Sequence, residues 1–326
     1  MDEDFRNLLN KCSLIKDANS IAILAHYHPD GDAVGSAAGL YHLIKENFGK
    51  EPTIIYDGQF QGNLDFLLEG IPTAKRASEM NPNEKFDLVI VVDTAEKRLL
   101  AGALPFFESA KHTIKIDHHI IVESYAEWNI ESNLPANTMQ IFNIARELNW
   151  KINQDAATAL YVGIYTDTGK FSHSDGSEVI HAAAALVDLG VDYRKVANIL
   201  AEDTMDAVMA NARIVESAEF MLDGALAIAE VNFEGYKNLG GDKGSPAMRK
   251  LRSIRGVRVV ILLREEGQDN VRVSMRAKDV EIREFAVKMG GGGHKFAAAF
   301  RLHTSLPEAR KIVVEEFKKF YNSVNG

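Results

Sequence analysis

Short apolar runs recur along the first half of the chain, and between them apolar residues return every three or four positions. Runs of the first kind are typical of buried strands, and the longer spacing is typical of helices packed against them. The predicted strands cover residues 21–25, 53–56, 88–92 and 113–116, and the predicted helices 33–40, 40–48, 138–148, 156–165 and 177–189. Strands that alternate with helices predict an α/β fold with a parallel, doubly wound sheet.

The second half of the chain has a different pattern. Residues 191–221 have helical spacing with scattered acids, which predicts a connecting arm. Strand-like runs and helices then alternate over 225–231, 257–263, 271–275, 282–289 and 306–324. A chain of 326 residues also exceeds the roughly 250–300 residues that one core usually serves. We therefore predict a first domain over 1–190, a helical linker over 191–221 and a smaller α/β domain over 222–326.

Composition indicates a soluble protein. The apolar fraction of 46% and the charged fraction of 25% are ordinary for globular domains. The single cysteine, Cys12, cannot form an internal disulfide, and the first residues show no basic-then-apolar signal. No apolar run approaches the roughly 20 residues of a membrane span. We expect a cytoplasmic protein with no membrane partner.

Charge is unevenly distributed along the chain. Residues 1–241 contain 19 Lys and Arg against 36 Asp and Glu, whereas residues 242–295 contain 13 against 7. An acidic body suits a metal centre bound by carboxylates, and a basic second module suits a small anionic ligand. A solvated surface of fluctuating composition explains the charge equally well. The net charge of −9 argues against stable binding of long nucleic acid.

Polar residues follow three predicted strands at the point where each strand ends. His26, Asp30 and Asp32 follow the first strand, Asp93 follows the third and His118 follows the fourth. A further carboxylate, Asp167, ends a helical stretch. Because the carboxyl ends of parallel strands meet at one edge of a sheet, these segments should converge there. The candidate metal ligands are His26, Asp30, Asp32, Asp93, His118 and Asp167.

Mixed imidazole and carboxylate ligands without a thiol suit Mn²⁺, with Mg²⁺ or Co²⁺ as alternatives. Six ligands are too many for one ion that keeps an open position. One bridging carboxylate, however, lets them serve two ions roughly 3.5–4 Å apart. Such a pair can activate water and spread the charge that grows on a transferred phosphoryl group. The ligand set therefore favours phosphoester hydrolysis.

Each candidate has a simpler interpretation when it is taken alone. Asp93 could cap the next helix, His118 could belong to a polar loop, His26 could be a buried histidine with a satisfied hydrogen bond, and Asp167 could belong to a turn. Their joint occurrence weakens these readings, because four unrelated caps need not fall where one sheet edge brings them together.

As a set, these segments resemble the DHH phosphoesterase family, in its DHH–DHHA1 branch. The matching segments are residues 26–36, 91–94, 117–119, 166–171 and, in the second module, 291–298. They span the chain in the order of that family. The resemblance identifies 1–190 as a DHH domain and 222–326 as a DHHA1 domain.

The resemblance also implies roles in the first domain. One Mn²⁺ would be held by His26, Asp30 and Asp93. The other would be held by Asp32, Asp93, His118 and Asp167, so that Asp93 bridges the two ions. His119 would contact the scissile phosphate, and Asp117 would orient the neighbouring imidazoles. The implied catalytic residues are His119, Asp93 and Asp117.

In the second domain the resemblance implies a substrate-binding glycine run, Gly291, Gly292 and Gly293, followed by His294, together with a phosphate-binding Arg276. A flexible turn and an exposed charge are the plain alternatives for the run and the arginine. Two positions depart from the family pattern. Ala299 stands where relatives commonly have glycine, and Lys170 stands where they often have arginine, so Lys170 would bind substrate without the planar fork of a guanidinium.

The resemblance implies an Mn²⁺-dependent phosphoesterase similar to nanoRNase-type oligoribonucleases that also act on adenosine 3′,5′-bisphosphate (pAp). Its substrate would be short RNA or a nucleotide, and assembly as a homodimer is left open. Hydrolysis of linear or cyclic dinucleotides such as pApA and cyclic di-AMP is the alternative within the family, and a pyrophosphatase is a more distant one. From a different class, the chain could be a non-catalytic nucleotide-binding regulator, although a pure sensor needs no two-metal centre.

Overall fold

A computed structural model describes residues 12–60, 63–119, 123–172, 176–237, 239 and 244–325. The chain divides into two compact units, Met1–Glu202 and Asp203–Gly326, each with its own six-stranded sheet. The division falls inside the segment predicted as a helical linker. The bounds of that linker and of the two domains stay a prediction.

The first unit contains a sheet in which every pair of neighbouring strands is parallel. Its strands are β1 (Ile21–Leu24), β2 (Thr53–Tyr56), β3 (Lys75–Arg76), β4 (Leu88–Val92), β5 (His112–Asp117) and β6 (Trp128–Glu131), in the spatial order β3-β2-β1-β4-β5-β6. The four predicted strands are confirmed to within a residue at each end. The edge strands β3 and β6 were not predicted, because β3 has two residues and β6 alternates polar and apolar side chains at half burial.

Helices cover both faces of this sheet. They are α1 (Gly31–Phe48), α2 (Leu104–Glu108), α3 (Asn137–Glu147), α4 (Gln154–Asp167), α5 (Glu178–Asp188) and α6 (Tyr193–Ile199), with 3₁₀ turns at Asp65–Leu67, Ala77–Glu79 and Lys97–Ala103. Ile21 and Ile23 belong to a core shared with α1, α3 and α4, whereas Ala22 and Leu24 belong to a core on the opposite face with Phe106. This alternation confirms the doubly wound α/β prediction.

Strand order determines where a ligand can bind. β1 lies beside both β2 and β4, so the connections from β1 and β4 leave the sheet on opposite sides. In open α/β sheets this reversal leaves a crevice at the carboxyl ends of the two central strands. The predicted metal ligands that follow β1, β4 and β5 therefore lie at one crevice, where these three strands end.

The second unit combines a mixed sheet with five helices among its described residues. Its elements are α7 (Met205–Glu216), β7 (Glu219–Met221), β8 (Leu226–Val231), α8 (Phe233–Lys237), α9 (Ser245–Arg252), β9 (Val259–Gly267), β10 (Asn270–Ala277), α10 (Arg283–Lys288), β11 (Gly292–His294), β12 (Ala297–Leu302) and α11 (Leu306–Asn325). The sheet order is β11-β12-β10-β9-β8-β7, and β8 pairs with β9 in parallel while the other pairs are antiparallel. The predicted smaller α/β domain is confirmed as a fold class.

Two details differ from the sequence prediction. Glu219–Met221, expected at the end of a helical arm, is strand β7 and pairs with Leu226–Ile228 across a turn. That turn has positive φ at Leu222, Asp223 and Gly224, which helical periodicity cannot anticipate. Part of the glycine run is strand β11 rather than loop.

Among the described helices, none combines the length and apolar character needed to cross a membrane.

Close packing of α1 on α4 fixes the position of the crevice. A Cβ added to Gly35 would lie 2.6 Å from the carbonyl oxygen of Ala159 and 3.1 Å from the amide nitrogen of Gly163. Both atoms belong to the backbone of α4, so they can move only if the helix moves. At Gly39 the nearest atom would be the Leu160 Cδ2 methyl carbon, at 2.8 Å, which is the end of a flexible side chain.

We expect Gly35→Ala to lower the free energy of unfolding by about 1–3 kcal/mol, because the added methyl group overpacks a backbone contact. Gly39→Ala is the matched control on the same helix. The helix-propensity gain of about 1 kcal/mol from glycine to alanine applies to both variants, but Leu160 can move aside at Gly39, so the loss there should be smaller. Urea unfolding of both variants measures the difference, and equal losses would contradict this packing.

Candidate metal centre

The segment after β1 supplies three of the candidate ligands through a helix start. Asp30 is the N-cap of α1, and its Oδ1 accepts from the backbone N–H groups of Asp32, at 3.0 Å, and Ala33, at 3.1 Å. This cap fixes the turn that carries His26 on one side and Asp32 on the other. The His26 Nε2 atom lies 3.9 Å from Asp30 Oδ1.

Asp93 directly follows β4 and lies at the centre of the cluster. Its φ of +50° is in the left-handed region, which aspartate tolerates better than most residues. Its carboxylate is 3% exposed, with Oδ2 3.8 Å from His26 Nε2 and Oδ1 3.4 Å from His118 Nε2. Oδ1 is buried and has no hydrogen-bond partner within the described residues. Burying a carboxylate oxygen without a hydrogen-bond partner costs free energy, so we expect a cation beside this atom.

The segment after β5 supplies His118, whose Nε2 faces three carboxylates. It lies 3.7 Å from Asp32 Oδ2, 3.4 Å from Asp93 Oδ1 and 3.7 Å from Asp167 Oδ2. Asp167 comes from the last residue of α4, which brings a fourth chain segment to the crevice. The structure thus brings together all six candidate metal ligands.

The separations between these atoms suit metal ligands better than hydrogen bonds. Distances of 3.4–3.9 Å from imidazole nitrogen to carboxylate oxygen exceed the usual limit of about 3.2 Å for an N–H···O bond. Ligands that share one ion at about 2.0–2.2 Å are spaced in this way. Among the residues that the structure describes, three triads have donor atoms within 4.8 Å of one another: His26–Asp30–Asp93, Asp32–His118–Asp167 and Asp93–His118–His119.

The backbone sets the orientation of two of the imidazoles. His26 Nδ1 lies 3.0 Å from the carbonyl oxygen of Tyr27, and His118 Nδ1 lies 2.8 Å from that of Leu134. Because a carbonyl only accepts, Nδ1 carries the proton in both rings. Nε2 then faces the carboxylates and is free to bind a metal when the ring is neutral.

The pKa values of the cluster are shifted because several carboxylates lie close together with no metal ion between them. Burial would lower the pKa of His26 and His118, but neighbouring carboxylates outweigh it and raise the two values to about 9 and about 10. Burial, followed by the charges of Asp93 and Asp167, raises the pKa of Asp32. Burial also raises the pKa of Asp167, to about 6. Protons thus occupy the places of cations in the metal-free cluster.

Asp30 differs from its neighbours. Burial acts to raise its pKa, but the hydrogen bond with His26 and the two backbone N–H groups bring the net value below the usual range. His26 and the helix start therefore together stabilise the ionised form of the Asp30 carboxylate, which is the form that binds a metal.

The N-terminus of α3 holds Asp32 in place, a contact that the sequence analysis missed. Asp32 Oδ2 accepts from the backbone N–H of Asn137 at 2.5 Å, and Oδ1 accepts from the backbone N–H of Thr138 at 3.0 Å and from its hydroxyl at 2.6 Å. The N-cap residue of α3, Ala136, makes no side-chain cap. Asp32 thus caps a helix that begins more than 100 residues later in the sequence. The available signal was the alanine at the N-cap of that helix, because alanine cannot accept a hydrogen bond from the free backbone N–H groups.

His119 lies beside His118, with their ring centroids 4.7 Å apart, and is bonded to Asp117. Its Nδ1 lies 2.8 Å from Asp117 Oδ1 and 3.6 Å from Asp93 Oδ1. The hydrogen bond to Asp117 is the largest influence on the pKa of His119 and raises it. Burial acts to raise the pKa of Asp117, but His119 and Lys115 bring it below its usual range. His119 therefore presents Nε2 as the atom available to a substrate.

A buried lysine behind Asp117 is a second residue that the sequence analysis missed. Lys115 is in β5, its side chain is 0% exposed, and its Nζ lies 3.2 Å from Asp117 Oδ2. The available signal was a lysine between Ile114 and Ile116 in a strand that is otherwise apolar at this point. Lysine is almost never fully buried unless it is paired.

In the second unit, strand pairing places the predicted substrate residues on adjacent strands. Arg276 on β10 is opposite Ala297 on β12, and Ala297 is opposite His294 on β11. Arg276 is partly buried, and its Nη1 donates to the Met275 carbonyl oxygen at 2.9 Å. Burial, followed by the charges of Arg252, Arg272 and Arg249, lowers its pKa.

Close approach of β11 to β12 explains two of the three predicted glycines. A Cβ on Gly291 would lie 2.2 Å from the Ala299 carbonyl oxygen, and one on Gly293 would lie 2.5 Å from that of Ala297, with φ at +136°. Gly292 has open space instead. Ala299 lies in β12 without a positive φ, so the missing glycine at that position disturbs nothing in the strand.

Lys170 follows the end of α4 in a left-handed conformation, with φ at +61°. Its ammonium group lies over the ring of Tyr165, 5.9 Å from the ring centroid. Its predicted contact with substrate stays a prediction.

The chain is similar in sequence and in fold to known proteins. A protein of Mycoplasma genitalium named bifunctional oligoribonuclease and PAP phosphatase NrnA is 28% identical over 94% of this chain and 96% of its own. A protein of the same name from Bacillus subtilis is 28% identical over 91% of this chain and 93% of its own. The crystal structure of an exopolyphosphatase-related protein from Bacteroides fragilis is 20% identical, covers 99% of this chain and 98% of its own, and superposes with a TM-score of 0.88, which shows the same fold.

Two family models match the two parts of the chain. The model described as the N-terminal domain of the DHH family matches residues 20–164, and the model described as the DHHA1 domain matches residues 224–323. Together they cover most of the chain, in the order expected from the motifs. The chain therefore belongs to the DHH family of phosphoesterases and carries a DHHA1 domain after its DHH domain.

Proposed function

We propose that this chain is an Mn²⁺-dependent phosphoesterase that hydrolyses short oligoribonucleotides and pAp. The observation that carries the proposal is the position of Asp93, which belongs to two ligand triads and whose buried Oδ1 has no hydrogen-bond partner within the described residues. DHH phosphoesterases are metal dependent, and the present donor set of imidazoles and carboxylates without thiols suits Mn²⁺ better than Zn²⁺.

The proposed ligand assignment follows the distances. His26, Asp30 and Asp93 would hold one ion, because His26 Nε2 faces both carboxylates. The triad Asp32–His118–Asp167 would hold the other ion together with Asp93, whose Oδ1 and Oδ2 face His118 and His26 respectively. When bound, the two ions would supply an activated water and offset negative charge on the phosphoryl group.

The chain's own residues orient the substrate around this pair. Asp117 fixes the ring of His119, and their hydrogen bond raises the pKa of that ring, which favours its protonated form. Its Nε2–H can then donate to a phosphoryl oxygen and stabilise the charge that develops there. Asp117 thus acts as a positioning residue for His119.

The second domain provides the proposed nucleotide contacts. Arg276 has no carboxylate partner within the described residues and is surrounded by other arginines, so it favours an anionic ligand. His294 and the open space at Gly292 both lie on β11, two strands away from it in the same sheet. The proteins from M. genitalium and B. subtilis that are named as oligoribonuclease and PAP phosphatase support short RNA and pAp as substrates.

A substrate panel tests the proposal directly. The purified chain with Mn²⁺ is incubated with RNA of graded length, pAp, linear and cyclic di-AMP, and pyrophosphate. We expect short RNA and pAp to react fastest. Fastest cleavage of pyrophosphate or of cyclic di-AMP would contradict the proposed substrate class, and binding of nucleotide without hydrolysis would identify a regulator.

Asp93→Asn should reduce hydrolysis of the best substrate roughly 100-fold or more, because the metal pair supplies several kcal/mol of charge stabilisation. Circular dichroism establishes that the variant is folded. Hydrolysis at the wild-type rate by folded Asp93→Asn would exclude the proposed bridge.

Asp167→Asn should have opposite effects with and without metal. The pKa of Asp167 is about 6 in the folded state, above its usual value, so its ionised form destabilises the folded protein above pH 6 and not below about pH 4. We expect the metal-free variant to be more stable than wild type at pH 8 and equal to it at pH 4. Mn²⁺ should then stabilise the wild type more than the variant, by mass action.

Asp188→Asn is the matched control, because Asp188 is also the last residue of a helix but lies outside the cluster. Urea unfolding with and without Mn²⁺ gives the free energy of unfolding of the wild type, Asp167→Asn and Asp188→Asn. An equal gain from Mn²⁺ in Asp167→Asn and wild type would remove Asp167 from the ligand set.

Arg276→Ala should raise KM for pAp and short RNA about 10- to 100-fold, which is the effect expected from losing a charge-assisted hydrogen bond. Its effect on pyrophosphate cleavage should be smaller. Arg301→Ala is the control on the same sheet, because Arg301 is already paired with Glu266 at 2.8 Å. Equal losses on nucleotide and pyrophosphate would count against a nucleotide-binding role of the second domain.

A further inference from the structure

Lys115 is the most deeply buried charged side chain near the candidate active site. It lies in β5, the strand that carries Asp117, and its side chain is 0% exposed. A buried ammonium group persists only where several acceptors replace water. Its surroundings should therefore show what it holds in place.

Three acceptors surround the ammonium group. Lys115 Nζ donates to Glu131 Oε1 on β6 at 2.8 Å and to the backbone carbonyl oxygen of Glu123 at 3.0 Å, and it lies 3.2 Å from Asp117 Oδ2. Lysine has three N–H donors, so these acceptors use all of them. The position of Nζ is therefore fixed from three directions.

Asp117 divides its two oxygens between Lys115 and His119. Oδ2 faces Lys115, while Oδ1 accepts from His119 Nδ1 at 2.8 Å. With Oδ2 held by the ammonium group, rotation of the carboxylate away from His119 would break an ion pair. The His119 side chain is 46% exposed and has few other constraints, so its orientation depends on Asp117.

Lys115 is also linked, through Tyr125, to the segment that carries Asp93. Its ammonium group lies 5.0 Å from the centroid of the Tyr125 ring, and the Tyr125 hydroxyl donates to the Thr94 carbonyl oxygen at 2.8 Å. Thr94 is the residue after Asp93. One buried lysine thus joins the segment after β4 to the segment after β5.

We propose that Lys115 is a positioning residue for phosphoester hydrolysis, which acts through Asp117 to hold the His119 ring with Nδ1 bonded and Nε2 directed to the substrate. Stability alone does not require a charge here, because buried ion pairs can often be replaced by apolar residues without loss. The kinetic consequence rests on the proposed function of His119. The effect on the ring itself does not.

The test compares Lys115→Met with Glu131→Gln. Lys115→Met keeps the length and apolar stem of the side chain but frees Asp117. Glu131→Gln is the matched control, because it changes another partner of Lys115 and leaves the Lys115–Asp117 pair intact. NMR of metal-free protein with ¹⁵N-labelled histidine reports the His119 Nδ1–H proton, and His119→Gln assigns the signal.

We expect the His119 Nδ1–H signal to be lost to exchange with water in Lys115→Met and retained in Glu131→Gln. With Mn²⁺ and the best substrate, Lys115→Met should lower kcat about 10- to 100-fold, as is typical when a group supporting a catalytic side chain is removed. KM should change by less than about twofold, because ground-state binding is not affected. Glu131→Gln should stay close to wild type in both constants.

Lys115→Met leaves the Glu131 carboxylate buried without its cation, so the double variant Lys115→Met/Glu131→Leu is the alternative if the single variant does not fold. It removes both charges and should show the same loss of the His119 signal and of kcat. An unchanged His119 signal and an unchanged kcat in either folded variant would overturn the proposal. So would an equal loss in Glu131→Gln, which would assign the effect to packing.

Failure of the proposed function would look different. If the wild type cleaves no substrate of the panel, kcat cannot be compared between the variants. The NMR comparison in metal-free protein still decides whether Lys115 positions His119.

Discussion

The carboxylate of Asp93 is the constraint on which the rest of the candidate site depends. It is 3% exposed, its Oδ1 has no hydrogen-bond partner within the described residues, and the imidazoles of His26 and His118 that face it come from different strand ends. A buried carboxylate in such a position is stable only with positive charge beside it. In the absence of metal that charge is imidazolium, and in the proposed enzyme it is a pair of cations.

Strand order and helix N-termini place the other candidate ligands around Asp93. β1, β4 and β5 are neighbours, so the segments that follow them open into one crevice, and α4 brings Asp167 to the same place. Helix N-termini then fix two of the carboxylates, since Asp30 caps α1 and Asp32 caps α3. The backbone N–H groups at the start of α1 help to favour the ionised form of Asp30, whereas burial and the charges of Asp93 and Asp167 raise the pKa of Asp32. Folding and ligand orientation are therefore coupled.

Much of this arrangement could be predicted from sequence, because period-two and period-3.6 patterns locate strand ends and the ligands lie at those ends. The Asp32 cap on α3 could not, since it joins residues more than 100 positions apart. Neither could strand β11, because glycine has no side chain to show a period and its pairing depends on contact with β12. Lys115 was visible as an anomaly in β5, but its partner on β6, Glu131, becomes evident only in three dimensions.

The electron paramagnetic resonance spectrum of the Mn²⁺-loaded protein tests most directly whether Asp93 joins two ions. Bridged ions roughly 3.5–4 Å apart are exchange coupled, so we expect a coupled multiline spectrum at two Mn²⁺ per chain in the wild type. Asp93→Asn should lose the coupling. A six-line signal of isolated Mn²⁺ that accounts for all the bound metal in the wild type would contradict a shared two-metal centre.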